Sequence, residues 1–211
     1  MKPYNLGTSA IPLVSPFLFH HNVTALTDNE NEKIVQHAIG QFQNKIDKTK
    51  TTVHNVLVDH TPEIDKLANI FYDICEDWFD NIERQTENTY SHQICTYVQT
   101  KDKFVSEWHS HVNQCTLNGV YYAAVPDPTG TLSYINVDGK IETVTPKERE
   151  LFIFPGWTIH KPDPQQDSSE HRVVINIEYL SLKRPILSPD KFSYDQYCRF
   201  TNNNFPKAVV W

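Results

Sequence analysis

The chain has 211 residues, of which 39% are hydrophobic and 12% aromatic, and its formal net charge is −7. This length predicts a single domain, and this content of apolar and aromatic residues excludes a disordered chain. The 19 Lys and Arg residues are scattered along an acidic chain, which argues against a nucleic-acid-binding protein, because such proteins concentrate basic residues on one face. No apolar run is long enough to span a membrane.

The start of the chain and the cysteines bear on the cellular compartment. The segment from Met1 to Asn5 has neither the apolar stretch nor the small-residue cleavage site of a signal peptide. The four cysteines are widely spaced and form no Cys-x-x-Cys pair, so reduced thiols are expected rather than disulfides or a zinc-thiolate site. We therefore predict a cytoplasmic protein with no membrane or nucleic-acid partner. The sequence leaves the oligomeric state open.

The first elements predicted along the chain are a strand and a helix. The apolar run from Ile11 to Phe19 is typical of a strand. Residues 29–46 predict a helix, because their apolar side chains recur on one stripe, and Asn29 or Asn31 is the candidate N-terminal cap.

A second helix is predicted from Thr61 onward. Threonine is a favoured cap, Pro62 suits the first helical position, and Glu63 places an acid in the first turn. Apolar residues follow at helical spacing as far as Ile82. We expect this apolar face to pack against a sheet.

From about residue 91 the apolar pattern changes to period two, which indicates strands. Strands are predicted near residues 92–99, 103–111, 116–125, 131–136, 141–144, 150–154 and 172–181. Helices followed by a run of short strands favour an α+β, mainly β fold, in which an antiparallel barrel or sandwich carries the helices on one sheet. The single domain 1–211 then consists of residues 1–90, a barrel core over 91–182, and an irregular segment 183–211 that wraps it.

Three histidines are candidate metal ligands. On a strand over 103–111, His109 and His111 point to the same face as Glu107, because side chains alternate. His160 follows strand 150–154 and a Pro-Gly turn, a position from which functional side chains are often displayed. If that strand face lines the barrel, three imidazoles converge on a metal such as Fe, Zn, Cu or Ni. The alternative is a solvated edge strand with incidental histidines.

Arg172 opens the last predicted strand and shares its face with Val174 and Asn176. An arginine on such an apolar strand is a candidate for bidentate binding of a carboxylate. The alternative is a surface arginine at the beginning of a strand.

Together these motifs resemble the Fe(II)/2-oxoglutarate-dependent oxygenases. In that superfamily a His-x-Asp or His-x-Glu pair and a distal histidine hold iron, and a basic residue about a dozen positions further on binds the far carboxylate of 2-oxoglutarate. A subgroup of short bacterial- and phage-type members is more similar still. The shared motifs, within residues 95–180, are His109-Ser110-His111, Gly119-Val120-Tyr121-Tyr122, Phe154-Pro155-Gly156-Trp157-Thr158-Ile159-His160 and Arg172-Val173-Val174-Ile175.

The resemblance implies a double-stranded β-helix, of the jelly-roll or cupin type, and a dioxygenase that uses Fe(II), 2-oxoglutarate and O2. Such an enzyme hydroxylates a C–H bond of a small-molecule or peptidyl substrate and releases succinate and CO2, with ascorbate as a reductant. The implied metal ligands are His109, His111 and His160. The implied co-substrate-binding residues are Arg172, Tyr97, Tyr121, Tyr134 and Asn176.

The chain departs from the superfamily at His111, where a carboxylate ligand is usual. Three neutral imidazoles leave Fe(II) with its full double charge, which the 2-oxoglutarate dianion balances. Two other ligand sets stay open: Glu107 with His111 outside the coordination shell, or a pair formed by His111 and Asn113. Two other functions stay open as well, namely a cupin-like zinc or nickel isomerase or sensor, and a structural jelly roll.

Overall fold

The structure is a computed structural model that describes residues 18–43, 54–57, 61–83, 90–100, 107–112, 115–136 and 138–181. The predictions for residues 11–17, 103–106, Asn113 and the wrapping segment 183–211 lie outside these ranges. The elements are β1 (Phe19–Asn22), α1 (Asp28–Gln43), β2 (His54–Leu57), α2 (Pro62–Glu83), β3 (Tyr90–Gln99), β4 (Leu117–Ala124), β5 (Leu132–Ile135), β6 (Ile141–Val144), β7 (Glu150–Pro155), β8 (His160–Pro162) and β9 (Arg172–Ser181).

The start of α1 differs from the prediction, because neither Asn29 nor Asn31 is the cap. The Thr27 hydroxyl accepts a hydrogen bond from the Glu30 N–H (3.2 Å), and the Glu30 carboxylate accepts one from the Thr27 N–H (2.8 Å). This reciprocal pair is a capping box. Asn31 is instead buried and donates to the carbonyl oxygen of Ala123 in the sheet.

Thr27→Ala is expected to lower the free energy of unfolding by about 1 kcal/mol, because it removes the side-chain acceptor of the capping box. Asn29→Ala is the matched control, because Asn29 is exposed and lies two residues further along the chain. This variant should leave the free energy of unfolding unchanged. Urea unfolding of the two variants measures both values. Equal losses at the two positions would contradict the assignment of the cap.

The predicted start of α2 is confirmed. The N–H of Ile64 donates to the Thr61 hydroxyl (3.3 Å), and the N–H of Asp65 donates to the Thr61 carbonyl (2.9 Å). Ile64, Leu67 and Phe71 recur at helical spacing and are buried. Burial of each such side chain contributes about 1.5–3 kcal/mol, so α2 is held mainly by its apolar face.

The strands form two antiparallel sheets. The larger has the order β1-β7-β4-β9-β3-β2, and the smaller has the order β6-β5-β8. Both helices pack on one face of the larger sheet, where Ile34 and Leu67 join Tyr121 and Ile175 in one apolar core. The opposite face of the larger sheet packs against the smaller sheet through Leu132 of β5 and neighbouring side chains. The prediction of N-terminal helices on one sheet of a mainly β domain is confirmed.

Six of the predicted strands correspond to β3, β4, β5, β6, β7 and β9. The predicted strand 103–111 is wrong over its described part, because residues 107–111 are irregular and form one isolated bridge, between His109 and His160. The short strands β2 and β8 were not predicted, since three or four residues show too little alternation. The described cysteines, Cys75, Cys95 and Cys115, are buried as reduced thiols. None of the described helices is long and apolar enough to cross a membrane.

Candidate metal centre

Two of the three histidines are held together by their own backbone. The N–H of His109 donates to the carbonyl of His160 (3.0 Å), and the N–H of His160 donates to the carbonyl of His109 (2.9 Å). Residues that exchange both hydrogen bonds lie opposite each other with side chains on the same face. The two rings are accordingly close, with centroids 4.3 Å apart.

His111 is anchored by the Pro-Gly turn that precedes β8. Its N–H donates to the carbonyl of Gly156, and its carbonyl accepts from the N–H of Cys115. A Cβ atom at position 156 would lie 2.1 Å from the Cys115 carbonyl oxygen and 3.0 Å from that of His111, so this close approach requires glycine. The His111 ring centroid lies 5.3 Å from that of each other histidine.

The three rings offer ligand atoms that all lie within 4.8 Å of one another. Nδ1–H of His109 donates to the carbonyl of Glu107, and that of His160 donates to the carbonyl of Thr158, both at 2.9 Å. Nδ1 of His111 lies 3.1 Å from Oε1 of Glu178. Because each Nδ1 faces a protein acceptor, Nε2 is the nitrogen of each ring that suits a metal ion.

The protonation of the rings also suits a metal. Burial lowers the pKa of His160 well below its usual value, and the neighbouring His109 and His111 lower it further. Burial likewise lowers the pKa of His109. Both imidazoles are therefore neutral at neutral pH and keep a lone pair for coordination. A set of three imidazole nitrogen donors fits Fe(II), and it equally fits zinc, copper or nickel.

The histidines lie on the wall of a cavity of about 280 Å³ between the two sheets. Most of the surface of the cavity wall is apolar, although seven of the thirteen lining side chains carry charged, amide or imidazole groups. Glu107 lines it too, but its carboxylate is outside the described cluster of three ligand atoms. The lining residues are Tyr97, Gln99, Glu107, His109, His111, Val120, Tyr122, Leu132, His160, Pro162, Arg172, Val174 and Asn176.

Arg172 is the buried cation of this cavity, with 1% of its surface exposed. Its Nε donates to the Gln99 side-chain oxygen (2.8 Å), and an Nη atom donates to the carbonyl of Asp163 (2.9 Å). The guanidinium carbon lies 5.9 Å from the centre of the Tyr122 ring. Burial lowers the pKa of Arg172, yet a guanidinium stays protonated in proteins. A positive charge so placed attracts an anionic ligand into the cavity.

Comparisons with known proteins identify the fold. No protein-family model matches the chain, and no curated protein matches it. Among solved structures, the α-ketoglutarate-dependent carbocyclase SnoK of nogalamycin biosynthesis is similar, with a TM-score of 0.61, 13% identity and 86% of both chains covered. A prolyl-4-hydroxylase from Pseudomonas putida gives a TM-score of 0.59 and 11% identity, over 84% of this chain and 90% of that one. A prolyl hydroxylase from Trichoplax adhaerens, in complex with a hypoxia inducible factor peptide fragment, gives 0.58 and 12%, over 87% and 89%.

The chain has the double-stranded β-helix fold of 2-oxoglutarate oxygenases. At such low identity the likeness shows the fold alone. The fold class predicted from the sequence is confirmed, and the larger and smaller sheets described above are the two sheets of the double-stranded β-helix. The cluster of three histidines lies in the cavity between them.

The predicted co-substrate-binding residues divide into two groups. Tyr97, Asn176 and Arg172 line the cavity. Tyr121 instead faces the helices and donates to the side-chain oxygen of Asn31 (2.7 Å). Tyr134 lies on β5 and donates to the exposed Glu142 carboxylate. Tyr121 and Tyr134 are not among the residues that line the cavity.

Tyr122 is a cavity residue that the sequence analysis missed. Side chains alternate along β4, so Val120 and Tyr122 face the cavity. The neighbouring Tyr121 faces the core between the sheet and the helices. Complete burial raises the pKa of Tyr122 to about 12, so its phenol stays protonated and can donate. The face of β4 depends on its register with β9, where Tyr122 pairs with Val174.

The loop before Arg172 is ordered by the carboxylate of Asp127. This carboxylate accepts hydrogen bonds from the backbone N–H groups of Gln166, Asp167 and Ser168, at 2.6–3.1 Å. It also accepts from the N–H and hydroxyl of Thr129, and these hydrogen bonds hold the pKa of Asp127 well below its usual range. The loop is thereby tied to the turn that follows β4, which fixes where β9 begins.

Gly130, in that same turn, makes room for Arg172. A Cβ atom at position 130 would lie 2.3 Å from an Nη atom of Arg172, so Gly130→Ala must displace the guanidinium. If 2-oxoglutarate binds to Arg172, Gly130→Ala should raise its KM about 10- to 100-fold, since small misplacements of a binding group are costly, and should leave metal affinity unchanged. Succinate formation and a metal titration measure the two quantities.

Gly40→Ala is the matched control for this substitution. No atom lies within 4 Å of the Cβ position at Gly40, in α1, so the added methyl group meets no neighbour. If Gly130→Ala has the same KM as Gly40→Ala, the position of the guanidinium does not govern co-substrate binding.

Proposed function

We propose that the chain is an Fe(II)- and 2-oxoglutarate-dependent dioxygenase that hydroxylates a C–H bond and releases succinate and CO2. One observation carries the proposal. Three buried or half-buried imidazoles, at positions 109, 111 and 160, face one point on the wall of a cavity that also contains the buried guanidinium of Arg172. A metal position and a carboxylate-binding position in one mostly apolar cavity match a chelating dicarboxylate.

The residues around the cavity have different proposed roles. His109, His111 and His160 would hold the metal through Nε2 and leave the cavity side of the coordination sphere to other ligands. Arg172 would bind the far carboxylate of 2-oxoglutarate, with Tyr97, Tyr122 and Asn176 on the adjoining walls. When bound, Fe(II) and 2-oxoglutarate supply an oxidant made from O2, with ascorbate as reductant. Apolar side chains such as Val174 keep bulk water out of the cavity.

The proposed substrate is a small molecule or a peptidyl residue. The structural neighbours include a carbocyclase from nogalamycin biosynthesis and a prolyl hydroxylase in complex with a peptide fragment. The exposed side chain of Glu107 lies at the cavity and would meet either kind of substrate at the entrance.

The test is turnover of 2-oxoglutarate by the purified full chain. With Fe(II), ascorbate and air, we expect succinate to form in the absence of a substrate at a slow, uncoupled rate, and to stop when oxygen is removed. Parallel samples with Zn(II) or Ni(II) should form none. A chain that binds zinc or nickel tightly and forms no succinate with Fe(II) would contradict the proposal and favour a metal-dependent isomerase or sensor.

A further inference from the structure

A carboxylate lies directly behind one of the three histidines. β9 alternates, so that Glu178 follows Arg172, Val174 and Asn176 on the face turned toward the cavity. Glu178 is 5% exposed, and its Oε1 lies 3.1 Å from Nδ1 of His111. Within the described ranges, His111 is the only ion-pair partner of Glu178.

The partner of His111 differs in charge from those of the other two histidines. His109 and His160 each donate Nδ1–H to a neutral backbone carbonyl, whereas His111 faces a carboxylate. His111 is also the residue at the place where the resembled superfamily has a carboxylate ligand. A buried negative charge therefore lies behind the histidine that replaces that ligand.

The backbone holds Glu178 firmly in this position. β9 is an inner strand of the larger sheet, and Glu178 is paired with Gln93 of β3 on one side and with Asn118 of β4 on the other. A strand bonded along both edges cannot shift by one residue without turning every side chain to the opposite face. The distance between Glu178 and His111 is thus set by the sheet rather than by a flexible loop.

We infer that Glu178 is a positioning residue that supplies, through His111, the negative charge absent from the ligand set, and this inference rests on the proposed function. A carboxylate that accepts from Nδ1–H fixes the tautomer and orientation of the ring and makes Nε2 a stronger ligand. Its charge also attracts a divalent cation on the far side of the ring. Bound metal in turn compensates a buried carboxylate that is otherwise costly to desolvate.

The test is the affinity of the full chain for Co(II), measured by visible absorption without co-substrate. Glu178→Gln keeps the size and a side-chain acceptor but removes the charge, and we expect it to weaken Co(II) binding 10- to 100-fold. Glu150→Gln is the matched control, because the Glu150 carboxylate also contacts a histidine, His20, at 3.1 Å on the same sheet. The control should bind Co(II) within about twofold of the unaltered chain. Equal affinity of Glu178→Gln and Glu150→Gln would overturn the inference.

A second pair of variants reverses the expected sign. His111→Asp creates the usual His-x-Asp pair, so that a second carboxylate at position 178 becomes an unpaired like charge beside it. In that background Glu178→Gln should leave Co(II) affinity unchanged or strengthen it. If Glu178→Gln weakens binding equally with His111 and with Asp at position 111, Glu178 acts on the fold and not through the ring, and the inference is wrong.

These outcomes are distinct from failure of the proposed function. If the unaltered chain binds neither Co(II) nor Fe(II), the metal centre itself is refuted, and the role of Glu178 with it. If it binds both metals while Glu178→Gln matches it in affinity and in the Co(II) spectrum, only the inference about Glu178 falls. Circular dichroism of the metal-free variants verifies that each comparison is made on folded protein.

Discussion

His160→Ala is expected to lower the affinity for Fe(II) by about 100-fold or more and to abolish succinate formation. The loss of a ligand should exceed the 10- to 100-fold cost of losing a group that only orients one. The His160 side chain is 4% exposed and belongs to the cluster of three ligand atoms. The remaining imidazoles, His109 and His111, lie on one irregular segment, 107–112, and supply only two of the three protein ligands. Anaerobic Fe(II) titration and a succinate assay measure the two effects.

His20→Ala is the control for His160→Ala. His20 lies on β1 next to Glu150 and is not among the cavity-lining residues, so its removal should change neither quantity. Retention of one equivalent of tightly bound iron by His160→Ala would refute the metal centre. The same result together with undiminished succinate formation would show that turnover does not depend on this cluster of histidines.

Arg172→Gln is expected to raise the KM for 2-oxoglutarate on the order of 100-fold, because truncation of a buried charged partner costs about 2–5 kcal/mol. Fe(II) affinity should change little, since Arg172 is not in the ligand cluster. Arg172→Lys keeps the positive charge but lacks the planar guanidinium fork, so its KM should lie between those of the unaltered chain and Arg172→Gln. Succinate formation against 2-oxoglutarate concentration gives the KM of each variant.

Arg149→Gln is the control for loss of a structural arginine. Arg149 contacts Asp28 and the carbonyls of Val23 and Leu26, on the outside of the cavity, and its loss should affect stability but not the KM. An Arg172→Gln variant with an unchanged KM would mean that 2-oxoglutarate, if it binds, is held by other groups. The proposal would then keep its metal centre and lose its co-substrate site.

The charges around the three histidines bear on the kind of co-substrate that the cavity would bind. Imidazole ligands bring no negative charge of their own to a divalent ion, and the charged groups nearby have opposite signs. Glu178 lies behind His111, whereas Glu107 and Arg172 line the cavity itself. A dianion that spans from the metal to Arg172 meets positive charge at both ends, while Glu178 stays on the protein side of the ligands. This arrangement favours an anionic co-substrate over a neutral one.

Local signals predicted the elements that depend on few neighbours. The threonine-proline start of α2 and six strands with clear alternation were predicted correctly. The capping box of α1 was also present in the sequence as Thr27 followed by Glu30. The prediction did not find it, because it considered only Asn29 and Asn31 as caps. By contrast, β8 has only three residues and exists because β5 pairs with it. Pairing partners distant in sequence leave no local pattern.

The same division explains the tyrosines. Tyr121 and Tyr122 are adjacent and have apolar residues on both sides in the sequence, so the motif alone did not indicate which hydroxyl faces the cavity. The register of β4 against β7 and β9 decides it, and a shift by one residue would exchange the two. Tyr134 lies opposite His160 in the smaller sheet, and its hydroxyl donates to the exposed carboxylate of Glu142.

By itself, the sequence determined the fold class, the histidine pair with its distal partner, and the apolar strand that begins with Arg172, since spacing and alternation are local properties of a chain. Only the tertiary structure decided that His109 approaches His160 through a backbone bridge outside any regular strand, that Tyr122 rather than Tyr121 lines the cavity, and that Glu178 lies behind His111. The two histidine contacts join residues 51 and 67 positions apart, and the placement of Tyr122 depends on sheet register. They arise because burial and strand pairing act on the whole chain at once.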